Sequence, residues 1–261
     1  MRPSSPITSE LARAPVLRFE GVGKRYAKQR VRPFLLRDVW RLPPRSDGAD
    51  GQDSFWALAE LDLELGAGEA VAIVGENGSG KSTLLALVAG ATHPTQGCVS
   101  VRGRLAPLLQ LGVGFQWDMS APENAYINAS LLGLPREDAA RRLPEMLAFA
   151  DLGDFVDVPL RYHSRGMVAR LGFAVATHVD ADVLLVDEVI AVGDGAFQEK
   201  CFARIRQLRD AGTTILLVTH DLESARRFAT RLVWLRGGRI AYDGSPEEGL
   251  ARYQAFLDGS R

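Results

Sequence analysis

The chain has 261 residues, 46% hydrophobic and 24% charged, with a formal net charge of −1. That length and balance suit one large globular domain able to bury its own core. They argue against a general nucleic-acid-binding surface, which would need a basic excess, and no run reaches the roughly 18 apolar residues of a membrane helix.

Residues 1–14, rich in Pro and Ser, read as a disordered tail with no secretory signal. Residues 16–20 alternate and predict an edge strand. The segment 32–42, RPFLLRDVWRL, mixes basic, aromatic and aliphatic residues. Two readings of it stay open: a surface for lipid headgroups, or an element packed on the rest of the domain. PPRSDGADGQD at 43–53 is a loop by composition, and FWALAELDLEL at 55–65 ends as an alternating strand.

EAVAIV at 69–74 is continuously apolar, as a strand buried on both faces should be, and TLLALVA at 83–89 predicts a helix closed by Gly90. Helical spacing follows at 123–132, 137–149 and 168–177, punctuated by Gly133, Gly153 and Gly166. VLLV at 183–186 and TILLV at 214–218 predict further parallel strands. A hairpin is expected over 233–242 around Gly237 and Gly238, then a helix over 246–257. Cys98 and Cys201 have no CxxC or metal-ligand spacing and are expected as reduced, partly buried thiols of a cytosolic protein.

Between the apolar strand and its helix lies GENGSGKS, a full match to G-x-x-x-x-G-K-[ST]. Gly75, Gly78 and Gly80 let backbone N–H groups close around a phosphate, with Glu76, Asn77 and Ser79 between them, and the helix starting near Thr83 adds its positive end. Lys81 is placed to reach the β- and γ-phosphates of ATP, and Ser82 to ligate Mg²⁺. Asp187 ends VLLV, where its carboxylate suits Mg²⁺ coordination, and Glu188 is the candidate to polarise the attacking water. His220 closes TILLVTH, at the end of a further parallel strand. Alone it is an ordinary structural histidine; beside a nucleotide it is a candidate contact to the γ-phosphate.

The order GENGSGKST, Gln116, HSRGM, VLLVDE and VTHD resembles the ABC-type ATPases, over nearly the whole chain from residue 16. The resemblance implies an α/β P-loop NTPase fold with a mostly parallel central sheet. It adds an N-terminal antiparallel β subdomain and an inserted α-helical subdomain at about 117–180 of a 15–261 domain. It makes Gln116 the Q-loop glutamine, a link between Mg²⁺, water and a membrane partner. Ser164, Arg165 and Gly166 occupy the signature that caps ATP bound by a second copy. Asp194 takes the D-loop place, and Tyr26, in GKRY, that of the aromatic stacking on adenine.

FWALAELDLEL, LLQLGVGF, ENAYINASLLGL and DEVIAVGDGAFQEKC are similar to one branch, the ATP-binding subunits of bacterial polysaccharide exporters. That branch implies a homodimer at the cytoplasmic face of the inner membrane. Its expected partner is an integral membrane permease dimer, its substrate a lipid-linked O-antigen, capsular or teichoic-acid-like glycan, and no nucleic acid takes part. The signature there usually reads Tyr-Ser-Ser-Gly-Met, so Arg165 departs from it; a cation there either strengthens phosphate binding across the dimer or points to solvent. The carbohydrate-binding domain that follows in some relatives is not expected here. A soluble non-transport ABC ATPase, an exporter of another amphiphile and a small-molecule kinase are the alternatives.

Overall fold

A computed structural model describes residues 15–27, 54–108, 111–187 and 194–259. The tail, the segment 32–42 and Glu188 lie outside the described residues. Three strands form an antiparallel sheet: β1 (Leu17–Ala27) lies between β2 (Ser54–Leu65) and β4 (Gln96–Val101). The expected edge strand is therefore a central one. Alternation of Leu17 and Phe19 inward with Arg18 and Glu20 outward reports which face is buried. It says nothing about how many neighbours a strand has, and β4, with one polar and mostly exposed face, is faint in the sequence.

The larger sheet contains β3 (Ala70–Val74), β5 (Leu105–Leu108), β6 (Val183–Val186), β7 (Thr214–Val218), β8 (Arg231–Arg236) and β9 (Arg239–Gly244). Their order is β5-β6-β7-β3-β8-β9; every pairing is parallel except β8 with β9. The expected mostly parallel sheet and terminal hairpin are thus both present. β5 carries Pro107, a residue without an N–H for the ladder, and sits at the sheet's end where that omission costs least.

The apolar run of β3 is buried at all five positions, and its period of two divides it between two cores. Val71 and Ile73 join Leu17, Phe19, Leu58, Leu61 and Leu84 on one side. Ala70, Ala72 and Val74 face the other side, where Phe173, Met146, Phe197 and Phe228 gather. Fully burying a side chain such as Ile73 contributes about 1.5–3 kcal/mol, so a charge anywhere in this strand would break the fold.

Helices pack on both faces: α1 (Lys81–Val88), α2 (Ala121–Leu131), α3 (Arg136–Ala150), α4 (Arg165–His178), α5 (Gly195–Asp210), α6 (Leu222–Phe228) and α7 (Pro246–Gly259). Of these, α2, α3 and α4 match the expected helical stretch. α2 starts with a capping box, Ser120 and Glu123 each closing on the other's backbone N–H. α5 and α6 go beyond the predicted elements. The buried stripe of α5 is only Phe197, Cys201 and Ile205, a narrow four-residue repeat inside a charged sequence. Of the thiols, Cys201 is buried, and burial pushes it up to about 12, whereas Cys98 is exposed rather than partly buried.

This topology brings three chain segments to one sheet edge. Ile73 pairs with Val218 and Val186 with Leu217, so β6, β7 and β3 end side by side. The loops leaving those ends carry Asp187, His220 and GENGSGKS. Ligands of open α/β sheets bind outside these carboxyl ends.

Candidate nucleotide site

The loop between β3 and α1 needs its glycines. Gly80 has φ 110, and a Cβ there would lie 2.6 Å from both the Ala57 carbonyl oxygen and Leu58 Cδ2. Gly75 would press a Cβ into the Leu235 carbonyl. The loop is thus clamped between β2 and β8, leaving no room for side chains at those two positions. Lys81 is buried and its Nζ donates to the carbonyls of Gly75 at 2.6 Å and Glu76 at 2.9 Å. The ammonium is held against the loop that the motif assigns to phosphate. Ser79 Oγ is buried and has no hydrogen-bond partner among the described residues, an unsatisfied donor that an oxyanion would satisfy.

A cavity of about 400 Å³ opens over this loop, within the range of small-molecule sites. Asn77, Gly78, Gly80, Lys81, Ser82 and Thr83 form its floor. Asp187 and Val218 close one side, Tyr26, Phe55 and Ala57 the other. Thus the sequence-predicted loop, Asp187 and Tyr26 come together around one volume. Ser82 and Asp187 supply oxygen donors to it, while no group of three or more His, Cys, Asp or Glu able to hold a metal occurs among the described residues. Such a donor set fits Mg²⁺, which takes one or two protein oxygens and completes its shell with phosphate and water.

His220 and Gln116 are not among the residues lining that cavity. His220 is exposed at the end of β7 and lines a second volume of about 380 Å³, which shares Asp187 with the first. Its neighbour Asp221 caps α6, accepting from the backbone N–H groups of Glu223 and Ser224 at 3.1 Å each. The Ser224 hydroxyl, donating at 2.5 Å, leads in holding the Asp221 carboxyl below the usual range. A third volume, bounded by Ser82, Asp187 and Val113, runs from the nucleotide loop toward the segment before Gln116.

Gln116 is exposed, but its backbone is fixed. Asn124, fully buried on the first turn of α2, accepts from Gln116 N–H at 2.6 Å and donates back to Gln116 carbonyl at 3.0 Å. The same amide nitrogen lies 3.1 Å from the Met119 carbonyl and 2.9 Å from that of Ser120. One side chain therefore holds the whole turn from 116 to 120. Sequence reasoning missed this residue; a buried-type asparagine inside ENAYINASLLGL was its only signal. Asn124→Ala leaves the Gln116 N–H without its acceptor at about 1–3 kcal/mol, while the Gln116 carbonyl keeps the Met119 N–H at 3.1 Å; the variant is expected to have a lower melting temperature. Its ATPase loss should not add to that of Gln116→Ala in a double-mutant cycle; fully additive losses would mean that Asn124 does not act through Gln116.

The signature residues lie elsewhere. Ser164 caps α4, its Oγ accepting from Met167 N–H at 3.2 Å, and with Gly166 it lines a separate cavity of about 510 Å³. That lining shares no residue with the cavity over Lys81. Arg165, first residue of α4, is exposed and makes no hydrogen bond or ion pair to a described residue. Asp194 caps α5 by accepting from Phe197 N–H at 2.9 Å, the main cause of its lowered carboxyl. It also pairs at 2.9 Å with Arg170 of α4, tying the signature helix to the start of α5.

Comparison with known proteins follows the same lines. The profile of the ABC transporter family matches residues 58–191. An O-antigen export system ATP-binding protein of Klebsiella pneumoniae is 40% identical over 93% of this chain and 99% of its own length. A protein of the same name from Myxococcus xanthus is 45% identical over 77% of this chain and 46% of its own length. A teichoic acids export ATP-binding protein of Bacillus cereus is 35% identical over 92% and 43%. Among solved structures, the dimeric ATP-binding cassette MJ0796, in a post-hydrolysis state with ADP and Pi, superposes with a TM-score of 0.69. It is 23% identical, with 88% of this chain and 98% of that chain covered.

Proposed function

The chain belongs to the ABC transporter family, and from that premise we propose that it is the ATP-hydrolysing subunit of an exporter for a lipid-linked polysaccharide. O-antigen-like and teichoic-acid-like glycans are the substrate class. The observation that carries this reading is the extent of the likeness. The 40% identity to an O-antigen export ATP-binding protein runs through 243 residues, well beyond the 58–191 of the family profile.

In this reading Lys81 and the loop N–H groups bind the β- and γ-phosphates, and Ser82 and Asp187 hold Mg²⁺. When bound there, Mg²⁺ would supply positive charge against that developing on the transferred phosphoryl group. Glu188 accepts the proton of the attacking water, and His220 holds the γ-phosphate from the end of β7. Two copies face each other head to tail. Ser164, Arg165 and Gly166 of one copy then cover the loop of the other, with Asp194 at the seam. The separateness of the two cavities within one chain supports this arrangement. Gln116 sits between the nucleotide and an integral membrane permease dimer. The complex lies at the cytoplasmic face of the inner membrane, and no helix among the described residues is long and apolar enough to cross that membrane itself.

Expression of the chain with a candidate integral membrane permease of such an exporter tests this. Reconstituted in vesicles, the pair is expected to move a lipid-linked glycan in an ATP-dependent way and to show ATPase activity raised by that substrate. ATP turnover indifferent to every lipid-linked glycan, but raised by a lipid or peptide, would replace the substrate class.

A further inference from the structure

The cavity over the nucleotide loop has an aromatic wall of two rings, and the motifs account for only one of them, Tyr26. Tyr26 and Phe55 are 29 positions apart in the chain, yet they are direct cross-strand partners of β1 and β2. Cross-strand partners project to the same face of a sheet. Both rings line the cavity, 6.0 Å apart between centroids and tilted by 34°. The next pair along, Arg25 and Trp56, projects to the opposite face, where the guanidinium stands over the indole at 6.0 Å. Ala57, two residues beyond Phe55 and so back on the cavity face, adds only a methyl group to that wall.

We infer that Phe55 is a base-stacking residue, forming with Tyr26 a two-ring platform on which the adenine lies. A base inserted between the rings would need two contacts of about 3.5–4 Å. The 6.0 Å spacing is too short for that, so the rings present one continuous surface instead. Lys24 Nζ lies 5.1 Å from the Tyr26 centroid, so part of the tyrosine's π-surface already serves a cation. Phe55 has no such partner among the described residues and remains 48% exposed, a large apolar surface facing the cavity mouth. Stacking uses a base's π-face and needs no edge hydrogen bonds, which matches a wall built of carbon.

The inference deepens the nucleotide-binding role proposed above and rests on it. Titration calorimetry on the full chain, with ATP and separately with inorganic tripolyphosphate, tests both. Tripolyphosphate offers the same anionic oxygens but no base. Phe55→Ala is expected to raise the Kd for ATP about ten-fold, the usual worth of one aromatic–base stack, and to leave the Kd for tripolyphosphate within two-fold. Phe55→Trp should restore ATP affinity. Unchanged ATP affinity in Phe55→Ala overturns the inference, and so does an equal loss for both ligands, which would mean damage to the loop itself. Wild-type chain that binds neither ligand overturns the nucleotide reading, and this inference with it.

Discussion

Glu188→Gln is expected to bind ATP with wild-type affinity while turning it over about 10²–10⁴ times more slowly, the usual worth of a positioned proton acceptor. The amide keeps the size of the carboxyl and loses its basicity. Binding is proposed for other groups: Asn77, Gly78, Gly80, Lys81 and Ser82 line the cavity, and Asp187, one residue before Glu188, keeps its carboxylate there. The effect should fall on kcat, with KM near its original value or lower. Single-turnover rates with radiolabelled ATP, set beside equilibrium binding, separate the two quantities. Near-wild-type turnover in this variant would remove Glu188 from its role.

Ser164→Arg is expected to abolish ATPase activity with no change in the ATP affinity of the isolated chain. Ser164 lines a cavity that shares no residue with the one over Lys81. A long cation at the α4 cap therefore cannot crowd the loop of its own chain. It would stand where the second copy's nucleotide has to enter, and would forfeit the cap on Met167 N–H as well. Mixing separates an action in trans from simple damage. In a two-fold dimer, a chain with Lys81→Ala paired with a chain carrying Ser164→Arg has one site made wholly of wild-type parts. Two inactive preparations should thus recover about a quarter of wild-type turnover on random pairing. No recovery, with both variants folded and dimeric, would place the signature in cis and end the head-to-tail model.

Arg165 gains a definite question from the structure. It is exposed at the first turn of α4 beside that cap, with no described partner of its own. The same mixing assay, run with Arg165→Ser, reads whether its charge acts on the other copy's phosphate or faces solvent.

Eight contiguous residues, GENGSGKS, determined the nucleotide loop by themselves. Their information is local: no space for a Cβ at Gly75, positive φ at Gly80, and right after it Lys81, which folds back onto the loop carbonyls. The continuous apolar runs AVAIV, VLLV and TILLV likewise determined a parallel sheet, because only strands covered on both faces tolerate them. Tertiary structure alone decided what depends on pairing across long stretches of chain. Alternation in β1 was legible, yet its central place required β4, whose own pattern is weak. Register between β1 and β2 put Phe55 beside Tyr26, and a slip of one residue would have offered Trp56 instead. The grip of Asn124 on Gln116 needed the turn between them to close. Ser164 and the loop it is proposed to serve line cavities that share no residue, a separation no local pattern reports. Periodicity in a sequence reports which way each side chain faces, and only the folded chain reports what it faces.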